Sequence, residues 1–166
     1  MPYLPLPSLE VIRAGSTYLK AALLLEHSND TELYRPACVL SGLAIELFIK
    51  SFLAKDDSTL ITTFNGIDMY CGAVAAEHGH FLDKLFSKIE PSLRQAILDT
   101  SERLYPGYPL EQKLKDYAGY FHKGRYGYEI GSLGIMRMEV LDTAEHMEQI
   151  CTELLPKAEK VTELGL

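Results

Sequence analysis

No other stretch of this chain concentrates as many kinds of reactive side chain as the nine residues from Phe121 to Glu129. This run reads Phe-His-Lys-Gly-Arg-Tyr-Gly-Tyr-Glu, and so combines a guanidinium, an imidazole, an ammonium, a carboxylate and two phenols. Arg binds a phosphate or carboxylate through two parallel hydrogen bonds, and His can transfer a proton near neutral pH. If one helix continues through His122 and Arg125, their spacing puts them on the same side. The pair would then be suited to cleaving RNA without a metal, with His122 moving the proton and Arg125 stabilising the charged phosphorus centre.

The same run also has a purely structural interpretation. Arg125 could form an ion pair with Glu129 or with Glu46, while Tyr126 and Tyr128 pack against neighbouring helices. A buried pair between Arg125 and Glu46 would fix the register of two helices, because a buried charge is costly without a partner. In that case the polar cluster would hold no ligand.

A second candidate site lies on the most apolar segment of the chain. Glu46 and Lys50 are four residues apart, which puts them on one helical face in the favourable order of Glu before Lys. A buried charge needs a partner, so we expect Glu46 to pair with Lys50 or with an Arg from elsewhere. A functional alternative places this pair opposite Arg125 in a polar pocket.

The segment Glu77-His78-Gly79-His80 carries typical metal ligands, but its spacing does not favour a metal site. Two His residues at i and i+2 do not share a helical face, and no Cys or third His is nearby in sequence. We therefore predict no metal, and expect His80 to cap the next helix or to hydrogen-bond within the fold. The chain also contains no phosphate-binding loop, dinucleotide fingerprint or nucleophile motif, so we predict no cofactor.

Composition restricts the classes of protein that this chain can represent. Its 166 residues suit one domain spanning 1–166, and the formal net charge of -7 argues against a broad phosphate-binding face while leaving room for a small basic pocket. Three cysteines without a C-x-x-C pair indicate reduced thiols in a cytoplasmic protein. The N-terminus does not resemble a secretion signal. Glu46 and Lys50 interrupt the longest apolar stretch, so no membrane span is predicted.

Apolar periodicity predicts an all-α fold, a bundle of four to five main helices with short extra helices. The predicted helices run from Leu9 to about His27, Pro36 to Lys55, His80 to Ile89, Pro91 to Tyr105, Leu110 to Lys123 and Ile135 to Leu155. The sequence does not decide the secondary structure of the region between residues 59 and 76. This region contains a possible short strand at Leu60–Phe64 and a turn signal at Asn65-Gly66, followed by a second strand or a loop.

Three segments together resemble the HEPN superfamily, in particular its small stand-alone bacterial members. They are Ser-Gly-Leu-Ala-Ile-Glu-Leu-Phe-Ile-Lys at Ser41–Lys50, His-Phe-Leu-Asp-Lys-Leu-Phe at His80–Phe86, and the run at Phe121–Glu129. The resemblance implies a helical bundle, usually dimeric, and often tied to RNA cleavage, toxin–antitoxin pairs or antiphage defence.

The resemblance also bears on catalysis. Active HEPN ribonucleases carry an Arg, a short spacer and a His, and Arg125 matches the Arg. The matching His would fall at Ile130, Gly131 or Ser132, and none of these is His. This departure favours a non-catalytic binding or interaction protein in bacterial stress response, toxin–antitoxin or defence systems, with a metal-independent endoribonuclease using Arg125 and His122 as the alternative.

The resemblance further implies which residues and partners to expect. The ligand-binding residues would be Glu46, Lys50, His80, Arg125, Tyr126 and Glu129. The protein would form a homodimer, and an antitoxin or a nucleotidyltransferase is a possible protein partner. RNA is a further possible partner.

Overall fold

The computed structural model describes residues 6–75, 77–129 and 133–155, with the backbone alone at 56–59 and 70–75. The elements in chain order are α1 (Leu9–His27), a 3₁₀ turn (Thr31–Leu33), α2 (Tyr34–Ser51), β1 (Ala54–Phe64), β2 (Ile67–Ala75), α3 (Leu82–Ser87), α4 (Pro91–Leu104), α5 (Leu110–Asp116), α6 (Tyr120–Gly124) and α7 (Val140–Leu154). The fold is mostly helical, as predicted. Within the described residues, no helix combines the length and apolarity needed to cross a membrane.

Helix α2 lies at the centre of the bundle, as its apolar composition predicts. It contacts α1, α3, α6 and α7, and ten of its 18 residues are buried. Ile45, Phe48 and Ile49 are fully buried in the core that these helices share. The only acidic side chain buried on α2 is that of Glu46, which makes its partners important for stability.

The predicted bounds of the first helix, Leu9 to His27, are confirmed. Ile12, Leu19 and Ala22 face the core. Gly15 allows α1 to lie close to α2, because a Cβ at this position would meet the ring of Phe48 at 2.7 Å.

The region between the second and third helices, for which the sequence supported no single prediction, forms a β-hairpin. β1 and β2 pair antiparallel, and the turn residues Asn65 and Gly66 have φ of 50° and 76°, the left-handed conformation that tight hairpin turns require. β1 begins at Ala54, so the prediction that the second helix continues to Lys55 is wrong. Lys55 pairs with Val74 across the hairpin instead of extending the helix.

The prediction of one helix from Leu110 to Lys123 is also wrong, because the chain breaks between α5 and α6. Tyr117 and Gly119 have ψ of 7° and 3°, outside the helical range. The side chain of Tyr117 is buried in the core, and Gly119 has a low helix propensity. Packing of the tyrosine therefore outweighs the helical periodicity of the sequence.

This break brings α6 close to α2. A Cβ at Gly42 would lie 2.9 Å from the backbone nitrogen of Phe121 and 3.0 Å from the Cβ of Tyr120. A Cβ at Gly124 would lie 3.0 Å from Val39, one turn earlier on α2. Each of the two helices therefore has a glycine at their contact, Gly42 on α2 and Gly124 on α6.

The last helix begins later than predicted, at Val140 rather than Ile135. Ile135 is 92% exposed, so its apolar side chain does not belong to the core stripe. The backbone N–H of Arg137 donates to the phenol of Tyr120 at 2.9 Å, and the thiol of Cys38 lies 3.6 Å from the Arg137 carbonyl. These contacts hold the preceding segment in a non-helical path.

Cys38 and Cys151 are free and buried. Burial raises the pKa of Cys38 to about 11 and that of Cys151 to about 12, so both stay protonated thiols at neutral pH. The expected burial of the thiols is confirmed for these two residues. The side chain of Cys71 lies outside the described residues.

We expect Gly42→Ala to lower the free energy of unfolding by about 1–3 kcal/mol, because the added methyl group meets backbone atoms of α6. In an open helix the same change stabilises by about 1 kcal/mol, so the two effects have opposite signs. Urea denaturation measures the difference. Gly134→Ala is the control, since a Cβ there meets no atom within 4 Å. An unchanged or higher stability of Gly42→Ala would contradict the close packing of α2 on α6.

Candidate functional site

The candidate site is built around the buried carboxylate of Glu46. Its Oε1 accepts a hydrogen bond from Nζ of Lys50 at 2.7 Å, and Nδ1 of His80 lies 3.1 Å from the same oxygen. The side chains of Glu46, Lys50 and His80 are 3%, 15% and 41% exposed, so the site opens to solvent on the histidine side. The predicted pairing of Glu46 with Lys50 is confirmed, as is the hydrogen bonding of His80 within the bundle. His80 does not cap α3, where Phe81 occupies that position.

His122 lies directly on His80. Their rings are nearly parallel, with an interplanar angle of 6° and a centroid distance of 5.0 Å. Nδ1 of His122 is buried and has no hydrogen-bond partner among the described residues. An unsatisfied buried polar atom costs about 1–3 kcal/mol, so a ligand or a water that bonds to it would be favoured.

Two phenylalanine rings border the histidine pair and carry positive charges on their faces. Nζ of Lys84 and Nζ of Lys123 lie 5.0 Å and 5.6 Å from the ring centroid of Phe81. The guanidinium of Arg125 lies 4.6 Å from the ring centroid of Phe121. We call this surface the basic aromatic face; it consists of His80, Phe81, Lys84, Phe121, His122, Lys123 and Arg125.

Arg125 does not form either of the ion pairs expected from the sequence. Within the described part of the chain, Glu46 is paired with Lys50 and His80, and no carboxylate pairs with Arg125. Arg125 directly follows α6, which ends at Gly124, and its guanidinium stacks on Phe121 and on Tyr126, whose ring centroid is 5.1 Å away. It is exposed, whereas His122 is half-buried against His80.

The other residues expected at the site lie at its margin. Tyr126 and Tyr128 meet edge to face at 6.4 Å, and Tyr128 is 83% exposed. Glu129 is exposed, and its backbone N–H bonds to the carbonyl of Tyr126 at 2.9 Å. The structure therefore brings together Glu46, Lys50, His80 and His122, with Arg125 beside them through Phe121.

The segment before α3 does not assemble metal ligands. Glu77 pairs with Lys88 at 2.6 Å, and the hydrogen bond from that lysine lowers the pKa of the carboxyl. Across the described ranges, no group of three or more His, Cys, Asp or Glu residues is placed to hold a metal ion.

Arg35 is a positioning residue that sequence reasoning missed. Its guanidinium donates to the backbone carbonyls of Gly124 at 3.2 Å, Gly134 at 3.4 Å and Leu133. These bonds fix the end of α6, from which Arg125 projects. Gly127 also lies against this guanidinium, where an added Cβ would come within 2.6 Å of it. This role of Arg35 could not be predicted from the sequence, because every acceptor of its hydrogen bonds is a backbone oxygen about 90 or more residues away.

No family model, curated protein or solved structure matches the chain. The resemblance to the HEPN superfamily therefore stays a prediction that depends on the three segments quoted above.

We expect Glu46→Ala to lower the free energy of unfolding by about 2–4 kcal/mol, because it leaves Lys50 without its buried partner. Urea denaturation at neutral pH measures the loss. Glu153→Ala is the matched control: it removes an exposed partner from Arg103 and is expected to cost less than about 1 kcal/mol. If the two losses were equal, Glu46 would not be the stabilising centre of the site.

Proposed function

We propose that the protein is a non-catalytic, HEPN-like binding protein whose basic aromatic face holds a short segment of single-stranded RNA. The observation that supports this proposal is the placement of Lys84, Lys123 and Arg125 on two aromatic rings. Within the described ranges, none of the three cations has a carboxylate partner. Their charge is therefore available to an anionic ligand.

The chemistry of this face fits RNA better than it fits a simple anion. Single-stranded RNA offers both bases that stack on aromatic rings and phosphates that pair with Lys and Arg. A planar guanidinium such as that of Arg125 can do both. The rest of the chain is acidic, which restricts the contact to this patch and to a few nucleotides.

The absence of His at positions 130, 131 and 132 favours binding without cleavage. A metal-independent endoribonuclease using His122 and Arg125 is the second candidate, and one observation supports it. His80 is oriented by Glu46 and stacked on His122, so two imidazoles, the side chains most often used as general acid and base, lie side by side.

We expect wild-type protein to bind a short single-stranded RNA in low salt, and Arg125→Ala to weaken binding by about thirtyfold. The reason is the loss of one phosphate contact and of guanidinium stacking, each worth about 1 kcal/mol. Removing one phosphate contact should also lower the salt slope of the logarithm of affinity by about one. Fluorescence anisotropy with a labelled RNA, repeated over a range of salt concentrations, measures both quantities.

Arg13→Ala is the matched control, because Arg13 is also an exposed arginine and lies on α1. Equal weakening by Arg13→Ala, or no binding in low salt, would contradict the proposal. If the protein does not bind RNA, but Glu46→Ala shows the expected loss of stability, the polar cluster would have a structural role alone. If RNA fragments appear in the presence of a chelator and disappear with His122→Ala, the protein is a ribonuclease.

We also propose that the protein forms a homodimer through the β-hairpin. Its tip carries five exposed apolar side chains: Leu60, Ile61, Phe64, Ile67 and Met69. Phe64 pairs with Ile67 across the hairpin, so both side chains lie on the same face. The one charged side chain among the described residues of the tip, Asp68, already accepts a hydrogen bond from Thr63.

A second copy is the partner that fits this arm best. A two-stranded sheet is marginally stable alone, and no strand in the described part of the chain pairs with either outer edge of this one. If each apolar side chain buries on the order of 100 Å², two copies bury about 1,000 Å², which is the lower limit for a specific interface. A symmetric contact of this kind is self-complementary and requires no further chain.

We expect wild-type protein to have a dimeric mass by light scattering, and the double variant Phe64→Ser with Ile67→Ser to be monomeric. Leu24→Ser is the control, since Leu24 is an exposed apolar side chain on α1. A monomeric wild type would refute the dimer, and a double variant that stays dimeric would exclude the hairpin as the interface. Additional mass in preparations from the native host would point instead to a different partner, such as an antitoxin or a nucleotidyltransferase.

A further inference from the structure

Three aromatic rings form a corner where the C-terminal end of α4 meets α7. Tyr105 and Tyr108 are nearly perpendicular, with an interplanar angle of 85° and a centroid distance of 5.4 Å. The ring of His146 lies 4.4 Å from that of Tyr108 at 51°, and 6.3 Å from that of Tyr105 at 70°. These rings line a groove of about 300 Å³ together with Asp142, Glu145 and Gln149. Rings in edge-to-face and tilted contact present their faces in different directions, so a small cation in the angle between two of them can lie against more than one face.

Hydrogen bonds hold two of the three rings in place. The phenol of Tyr108 bonds to Oγ1 of Thr143 at 2.6 Å, and Nε2 of His146 bonds to Oγ of Ser101 at 2.8 Å. Gly107, with φ of 77°, makes the turn that sets Tyr108 at an angle to α4. Because two of the three rings are already fixed, binding costs less entropy for ordering the side chains of the site.

The charge around the groove is negative. Its described lining contains the carboxylates of Asp142 and Glu145 and no Lys or Arg. Burial raises the pKa of Glu145, and the negative charges of Asp142, Glu26 and Glu148 raise it further. Burial also lowers the pKa of His146, so its ring is neutral at pH 7 and does not repel a cation.

We propose that this groove binds an alkylated ammonium group, such as the trimethylammonium of choline or of a trimethylated lysine side chain. Aromatic faces attract such weakly hydrated cations, and the carboxylates of Asp142 and Glu145 balance their charge. A metal ion would instead require several convergent oxygen or nitrogen ligands, and no group of three or more His, Cys, Asp or Glu among the described residues is placed to hold one. Tyr105 is 61% exposed, so a ligand reaches the rings from solvent.

The test is calorimetric titration of the whole protein with tetramethylammonium, choline and a short peptide that carries one trimethylated lysine. We expect all ligands that contain the trimethylammonium group to bind, and the tighter of choline and the peptide to identify the source of the group. Tyr105→Leu keeps an apolar side chain but removes the ring, and should weaken binding about tenfold. Tyr128→Leu is the matched control and should leave affinity unchanged, because Tyr128 is an exposed tyrosine outside the groove.

The decisive comparison uses the neutral analogue of choline, in which a tert-butyl group replaces trimethylammonium. Weaker binding of this analogue, by about tenfold, is expected if the ring faces recognise positive charge. Equal binding of the neutral analogue, or equal affinities of wild type and Tyr105→Leu, would overturn the proposal. Because Tyr105 is exposed, its replacement should leave the melting temperature unchanged, and this confirms that any loss of affinity is not a loss of folding.

Discussion

The carboxylate of Glu46 carries a negative charge inside an apolar bundle, and the arrangement of the candidate site follows from neutralising it. Lys50 supplies the opposite charge from the next turn of the same helix. His80, 34 residues further along the chain, forms a hydrogen bond with the same carboxylate and thereby anchors the segment that leads into α3. His122 then rests on His80, so α6 is placed relative to the same charge. The surface that meets solvent is thus ordered by a buried group beneath it.

Close backbone approach supplies the second constraint. Helix α6 has only five residues, too few to be stable in isolation, so contacts with α2 must hold it. Gly42 and Gly124 permit these contacts because neither carries a side chain. Arg35 completes the attachment by bonding to carbonyls at the end of α6 and beyond it. The orientation of Phe121 and Arg125 is therefore a property of the packed bundle rather than of the local sequence.

The features that could be predicted from the sequence are those set by local spacing. The bounds of α1 and the pairing of Glu46 with Lys50 depend on residues within one element, and both are confirmed. The break after α5 and the late start of α7 depend on where Tyr117 and Tyr120 pack, which apolar periodicity does not record. The ion pair expected between Arg125 and Glu46 is not formed, because Glu46 is paired with Lys50 and His80 while the guanidinium of Arg125 stacks on aromatic rings.

The hairpin leaves and rejoins the bundle at adjacent positions, since Ala54 pairs with Ala75 at its base. Its strands contact each other far more than they contact any helix. Residues added or removed in pairs near the Asn65-Gly66 turn would therefore change the reach of the ribbon without altering the distance that the helices must bridge. Loop-closure cost rises only slowly with length. This arm can consequently diverge in length and sequence during evolution while the helical core remains under its own, separate selection for packing.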